Sequence, residues 1–248
     1  MGLVKNSSEL ERMRVAGKIT AQICEQVVNY IGPGMTTAEI DRFAAGLMKD
    51  RGIKSAFLGY RGYPGSICVS VNEEVVHGIP GSRRVRMGDV VSLDIGVVVD
   101  SFYGDMAKTI MVGVSDSEII SLVNAAEKAL YAGIEKAVAG NRLSDISHAI
   151  EMCVVQAGFS VVRQFVGHGI GRSMHEEIQI PNFGRPGKGI ILKDGMTLAI
   201  EPMVNMGMPD VEVLSDGWTA VTCDRKLSAH FEHTVAVGRK QAEILTSL

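Results

Sequence analysis

A chain of 248 residues that is 46% hydrophobic can bury a sizeable core as one large or two small domains. Its formal net charge of -3 gives no electrostatic case for nucleic acid or an anionic membrane. Its four cysteines, Cys24, Cys68, Cys153 and Cys223, lie too far apart for metal-ligand pairs or a disulfide scaffold, and point to reduced thiols in a cytoplasmic protein.

The amino-terminal stretch has no apolar signal core, and Asp94 and Glu201 interrupt the longest apolar runs before membrane-spanning length. A first helix is predicted from about residue 8 to 30, with Ser8 and Glu11 as a capping box. Met13, Ala16, Ile19, Ile23 and Val27 repeat along it at helical spacing. The turn Gly32-Pro33-Gly34 leads into a second helix that starts near Thr37 and stops before Gly52. The layout then returns. Ser115 and Glu118 form another capping box, opening a helix to about Val138, and a further helix from about Ser144 ends before Gly158. Gly34, Ile40 and Gly52 match Gly140, Ile146 and Gly158 at a constant offset of 106, predicting similar halves, about 1–114 and 115–248, within a single domain. Strand-like runs fill 66–71, 90–99, 107–112, 197–204 and 231–237.

The run VVSLDIGVVVD puts Val91, Leu93, Ile95, Val97 and Val99 on one face and Asp94 on the other. A hairpin turning about Val99-Asp100 would set Asp94 directly opposite Asp105, with Cβ atoms roughly 4.5–5.5 Å apart. Carboxylates that close call for a cation or a shared proton. The alternative is one hydrogen-bonded acid inside and one solvated acid beyond the strand end. His168 lies in a glycine-rich run, where flanking glycines let a bulky centre approach the backbone. Glu201 shares a strand face with Thr197 and Ala199, and Glu232 with Thr234 and Ala236, each in an otherwise apolar run. Four carboxylates and one imidazole form a hard-to-borderline donor set matched to divalent ions. The chain lacks the paired cysteines of a zinc finger and the Asp-rich loop of an EF-hand.

Asn72-Glu73-Glu74-Val75-Val76-His77-Gly78-Ile79-Pro80, Asp94, Gly104-Asp105, Gly167-His168-Gly169-Ile170-Gly171, His175-Glu176, Ile200-Glu201-Pro202-Met203 and Glu232-His233-Thr234 follow one another in order. With them the chain resembles the type I methionine aminopeptidases over nearly its whole length. The resemblance implies an α+β pita-bread fold, a curved antiparallel sheet backed by helices in two pseudo-symmetric halves. It implies two divalent metal ions (cobalt, manganese, iron or zinc) held by Asp94, Asp105, His168, Glu201 and Glu232, with Asp105 and Glu232 bridging. Catalytic roles fall to Glu201 as proton shuttle and to His77 and His175 as hydrogen-bond donors to substrate. Tyr60, Tyr63, Cys68 and Trp218 align with the pocket for the methionine side chain. The implied reaction removes an initiator methionine when the second residue is small. The implied setting is a cytoplasmic monomer acting on nascent amino termini, with transient ribosome contact and no nucleic-acid or membrane binding. Phe57, Met106, Met174 and His230 depart from residues common in the family. The rival readings are a proline-directed peptidase of the same fold and a non-catalytic binding protein that reuses it.

Overall fold

The computed structural model describes residues 3–248. It opens with helices α1 (Ser7–Tyr30) and α2 (Thr37–Asp50). Strands β1 (Lys54–Ser55), β2 (Cys68–Val71), β3 (Glu74–Val76), β4 (Val90–Val99) and β5 (Phe102–Met111) follow. A second helix pair, α3 (Ser117–Ile134) and α4 (Leu143–Gln156), precedes β6 (Ser160–Val161), β7 (Gly167–Gly169), β8 (Glu176–Ile180), β9 (Thr197–Ile200) and β10 (Met203–Asn205). The chain closes with β11 (Val211–Val213), β12 (Ala220–Thr222), β13 (Ser228–His230), β14 (His233–Ala236) and β15 (Glu243–Ile244). Gly34 and Gly140 both have positive φ, as do Gly52 and Gly158, the turn glycines after α2 and α4.

Two helix starts differ from those expected. The capping box of α1 is Asn6 with Glu9, two residues ahead of Ser8. An isolated bridge between Val4 and Met196 and the Lys5 N–H bond to the Gly195 carbonyl pin the chain just before it. The cap of α3 is Asp116, whose side chain accepts from the Glu118 and Ile119 N–H groups, so Ser115 takes no part. The run 197–204 is two strands, β9 and β10, because Pro202 has no N–H to continue the ladder. The run 231–237 likewise begins later, at β14, leaving Glu232 between strands.

All strand pairs are antiparallel. β4 pairs with β1 and β2 along one edge and with β5 along the other. The second large sheet runs β15-β14-β9-β7-β8. The two meet along β5. Ala107 and Glu232 exchange backbone hydrogen bonds of 3.3 and 2.9 Å. The Thr234 hydroxyl donates to the Asp105 carbonyl and accepts from its N–H. The Thr109 hydroxyl does the same for His230. Each helix pair covers one half of this curved layer. Ile23, Val27 and Ile40 pack with Leu93, Ile95 and Val97. Leu122, Leu130, Ile146 and Ile150 pack with Leu198, Ile200 and Val235. Met13, Phe102, Ala199, Ala236 and Leu245 form a smaller apolar cluster joining the halves.

Helix α1 lies unusually close to β5 because small residues face each other there. A Cβ added at Gly104 would stand 2.8 Å from the Ala16 carbonyl carbon and oxygen, backbone that cannot swing aside. The variant Gly104→Ala is therefore expected to lose about 1–3 kcal/mol of stability through overpacking. Urea unfolding with an unchanged midpoint would contradict that contact.

Candidate active site

The β4–β5 hairpin turns at Asp100-Ser101, both left-handed with φ 47° and 66°, and Val99 pairs with Phe102. The turn is one residue later than the sequence suggested, which moves the pairing register by two. Asp94 therefore faces Ala107, and Asp105 faces Gly96. The two acids are diagonal neighbours on one face, not directly opposed. That register leaves an alanine and a glycine as their cross-strand partners and clears space beside both.

His168 sits in β7 between its glycines, opposite Ala199 of β9. A Cβ at Gly167 would stand 2.5 Å from the Ala199 carbonyl oxygen, so glycine is what lets this strand approach. His168 Nδ1 lies 3.0 Å from the Gly169 carbonyl oxygen, which can only accept. Nδ1 therefore carries the proton, and Nε2 turns a lone pair towards the acids. Nε2 is 3.6 Å from Glu201 Oε1 and 3.9 Å from Asp105 Oδ2. One ligand atom each from Asp105, His168 and Glu232 lie within 4.8 Å of one another. Asp105, His168 and Glu232 are buried, while Asp94 and Glu201 are half-buried.

Burial pushes all four carboxyls upward. Asp94 rises to about 7 through burial. Asp105 goes well up through burial and the charges of Asp94 and Glu201. Glu201 and Glu232 follow for the same reasons. Burial also pulls His168 down to about 4, which keeps it neutral. Asp94 Oδ1, Asp105 Oδ1 and Glu232 Oε1 are buried without a hydrogen-bond partner. Buried acceptors facing a lone pair, with no donor among them, fit divalent cations. The Cys68 thiol shares the cavity, but burial holds it protonated and outside the donor set.

These donors floor a cavity of about 210 Å³. His77, His175, Tyr60, Tyr63, Cys68 and Trp218 line it as well, so every candidate metal-binding, catalytic and pocket residue expected from the sequence faces one space, whereas Met106 lines a different cavity. Phe57, Arg61 and Met174 complete the lining. Phe57 lies over Gly96, where an added Cβ would meet its ring at 2.8 Å. His77 is left-handed, φ 60°, and stands edge-on to Phe165 and Trp218 at 5.4 and 6.1 Å. The Tyr63 hydroxyl donates to the Gly78 carbonyl at 2.9 Å and steadies that turn. His175, at the mouth, has its Nδ1 2.8 Å from the Tyr60 hydroxyl. Burial and the Arg61 charge lower its pKa. His230 lies behind Glu201, wholly buried, with Nε2 unpartnered and 3.8 Å from Glu201 Oε2. Arg61 and Phe165 had no sequence signal: one is a charge in a loop, the other an isolated aromatic.

Metallopeptidase family M24 matches residues 11–239. A methionine aminopeptidase of Clostridium perfringens is 50% identical over 246 residues, spanning 99% of each chain. The fold superposes on a methionine aminopeptidase of Thermotoga maritima with TM-score 0.96, at 47% identity and 99% coverage of both chains. A prolidase of Pyrococcus furiosus matches at TM-score 0.81 and 21% identity, covering 99% of this chain and 66% of the prolidase, a likeness of fold alone.

Loading metal-stripped protein with a divalent ion at about pH 6 is expected to release protons, because carboxyls that burial pushes upward, Asp94 to about 7, must ionise to accept a cation. The release should shrink as pH rises. Titration calorimetry in buffers of different ionisation enthalpy counts the protons, and a count of zero would overturn this electrostatic account.

Proposed function

This chain belongs to metallopeptidase family M24, and from that membership we propose that it is an aminopeptidase removing the initiator methionine where the second residue is small. The observation that carries the reading is the unpartnered donor set on the floor of a methionine-sized cavity with aromatic and sulfur-bearing walls.

Asp94, Asp105, His168, Glu201 and Glu232 would hold two divalent ions. Cobalt, manganese, iron and zinc all suit these donors. Divalent ions held there would lower the pKa of water and polarise the scissile carbonyl. Everything else falls to the chain itself. Glu201, whose carboxyl burial biases towards holding a proton, takes one from water and passes it to the leaving amine. In the tautomer whose Nδ1 accepts from the Tyr60 hydroxyl, His175 would present Nε2–H to the cavity for the oxygen on which charge develops. His77, kept neutral by burial with a pKa near 4, hydrogen-bonds the substrate amide without competing for the proton. Tyr63, Cys68 and Trp218 hold the methionine thioether, with Phe57 and Met174 narrowing that pocket. Asp94 and Asp105 come from the first half, and His168, Glu201 and Glu232 from the second, so we read residues 1–248 as one catalytic domain. No helix among the described residues is long and apolar enough to cross a membrane. The near-neutral charge suits a cytoplasmic monomer that meets nascent amino termini in transient contact with the ribosome, without binding nucleic acid.

Metal-stripped protein, given each divalent ion in turn, is expected to release methionine from Met-Ala-Ser and not from Met-Lys-Ser or Ala-Pro peptides. No release with any ion would leave the non-catalytic reading standing. In the loaded enzyme, Glu201→Ala should lower kcat by about 10²–10⁴-fold, the usual worth of a positioned general base. Undiminished turnover would remove Glu201 from the mechanism.

A further inference from the structure

Arg61 is the only Lys or Arg among the described residues lining the cavity. Its guanidinium forms no hydrogen bond or ion pair there and lies 5.4 Å over the Tyr60 ring. The backbone at Arg61 is left-handed, with φ 49° and ψ 25°. Glycine takes that conformation freely, whereas a long L side chain is strained in it. Gly59 and Gly62, at φ 81° and 88°, flank it. The Gly59 N–H bonds the Tyr63 carbonyl at 2.9 Å and closes the loop, so the conformation is imposed from both ends. An arginine held where a third glycine would relax the turn points to a use for its side chain.

Position narrows that use. Tyr60 touches both Arg61, which packs over its ring, and His175, which meets its hydroxyl, and Arg61 is exposed at the rim. Its charge still reaches the His175 ring. A peptide with its amino end among the donors extends outward by roughly 3.3–3.6 Å per residue, so the residues after the second run past the rim where Arg61 is exposed. The carboxylates on the cavity floor would repel an acidic group on that peptide, and a free cation at the rim reverses the sign locally.

We infer that Arg61 reads a carboxylate at the third or fourth residue of the substrate, either an acidic side chain or the free carboxyl terminus of a short peptide. The inference rests on the aminopeptidase reading and adds to it a preference beyond the second residue.

The test compares kcat/KM of the metal-loaded enzyme on Met-Ala-Glu-Ser-amide against Met-Ala-Lys-Ser-amide, and on free-acid Met-Ala-Ser against its amide. The carboxylate-bearing member is expected to lead by about two- to fivefold at low salt, the scale of an exposed ion pair. Added salt should shrink the lead. Because ratios are taken within one enzyme, any general loss of activity or folding in a variant cancels. Arg61→Asn, which tolerates the left-handed backbone, should bring both ratios to one, and Arg61→Glu should invert them. A lead confined to one pair would support the inference and identify the source of the carboxylate. Ratios unchanged in both variants would overturn it and leave Arg61 only its packing on Tyr60. Absence of methionine release from every peptide would instead sink the aminopeptidase reading, and this preference with it.

Discussion

Mutual repulsion among four carboxylates drawn out of water is the constraint to which the rest of this structure answers. Ionised side by side in a poorly hydrated cavity, such groups cost far more than any one contact returns, so they take up protons or a cation. The upward displacement of all four acids and the three orphaned oxygens express the same imbalance. No local segment could hold such a group together. Asp94 and Asp105 come from β4 and β5, His168 from β7, Glu201 from the end of β9 and Glu232 from the link between β13 and β14. The seam along β5 brings them together, and the two helix-backed cores supply the burial that offsets the repulsion.

Small residues are distributed around that constraint. Gly96 and Ala107 stand opposite the two aspartates, and Gly167 and Gly169 flank His168. Each leaves volume that a larger side chain would fill. Gly104 serves the other side of the sheet, letting α1 approach β5. The same ten-residue strand thus carries a site on one face and a helix contact on the other, and its sequence is a compromise between them.

That compromise explains what the sequence made legible. Elements whose local preferences agree with their tertiary role could be read directly: α2 and α4 with their terminal glycines, and the alternating β4. β5 was expected only from residue 107, because Gly104 and Asp105 are poor strand formers. It begins at Phe102, since those two residues are there for helix approach and for the site. The hairpin register failed for a related reason. Asp100-Ser101 is not a strong turn signal, and both residues take positive φ under the strands' control. The α1 cap was expected at Ser8 and lies at Asn6, because bridging to Gly195 and Met196 pins the chain just before the helix, which no local pattern shows. The four acids were legible because acids in apolar strands are chemically conspicuous, whereas His77, His175 and the pocket residues were expected only from the resemblance. Arg61 was not, because a loop arginine looks like solvent-facing charge until the fold shows what it borders.

The mouth of the cavity is held as firmly as its floor, and by groups remote in sequence. His175 is gripped on one side by Tyr60. On the other, Glu176 pairs with Lys5 at 2.7 Å, their side chains only 12% and 4% exposed. Glu176 also accepts from the Arg172 N–H, and the Gly171 carbonyl accepts from Tyr103 in β5. The turn carrying His175 is therefore tied at once to the amino-terminal segment, to the β4–β5 hairpin and to the Tyr60 loop. An ion pair so withdrawn from water is worth more as a fixed geometry than as net stability, since its desolvation offsets much of its attraction. A cavity that must tell one side chain from another needs walls that do not yield. In this fold the stiffness comes from cross-links between distant segments, because a short turn bearing an exposed histidine has no core of its own.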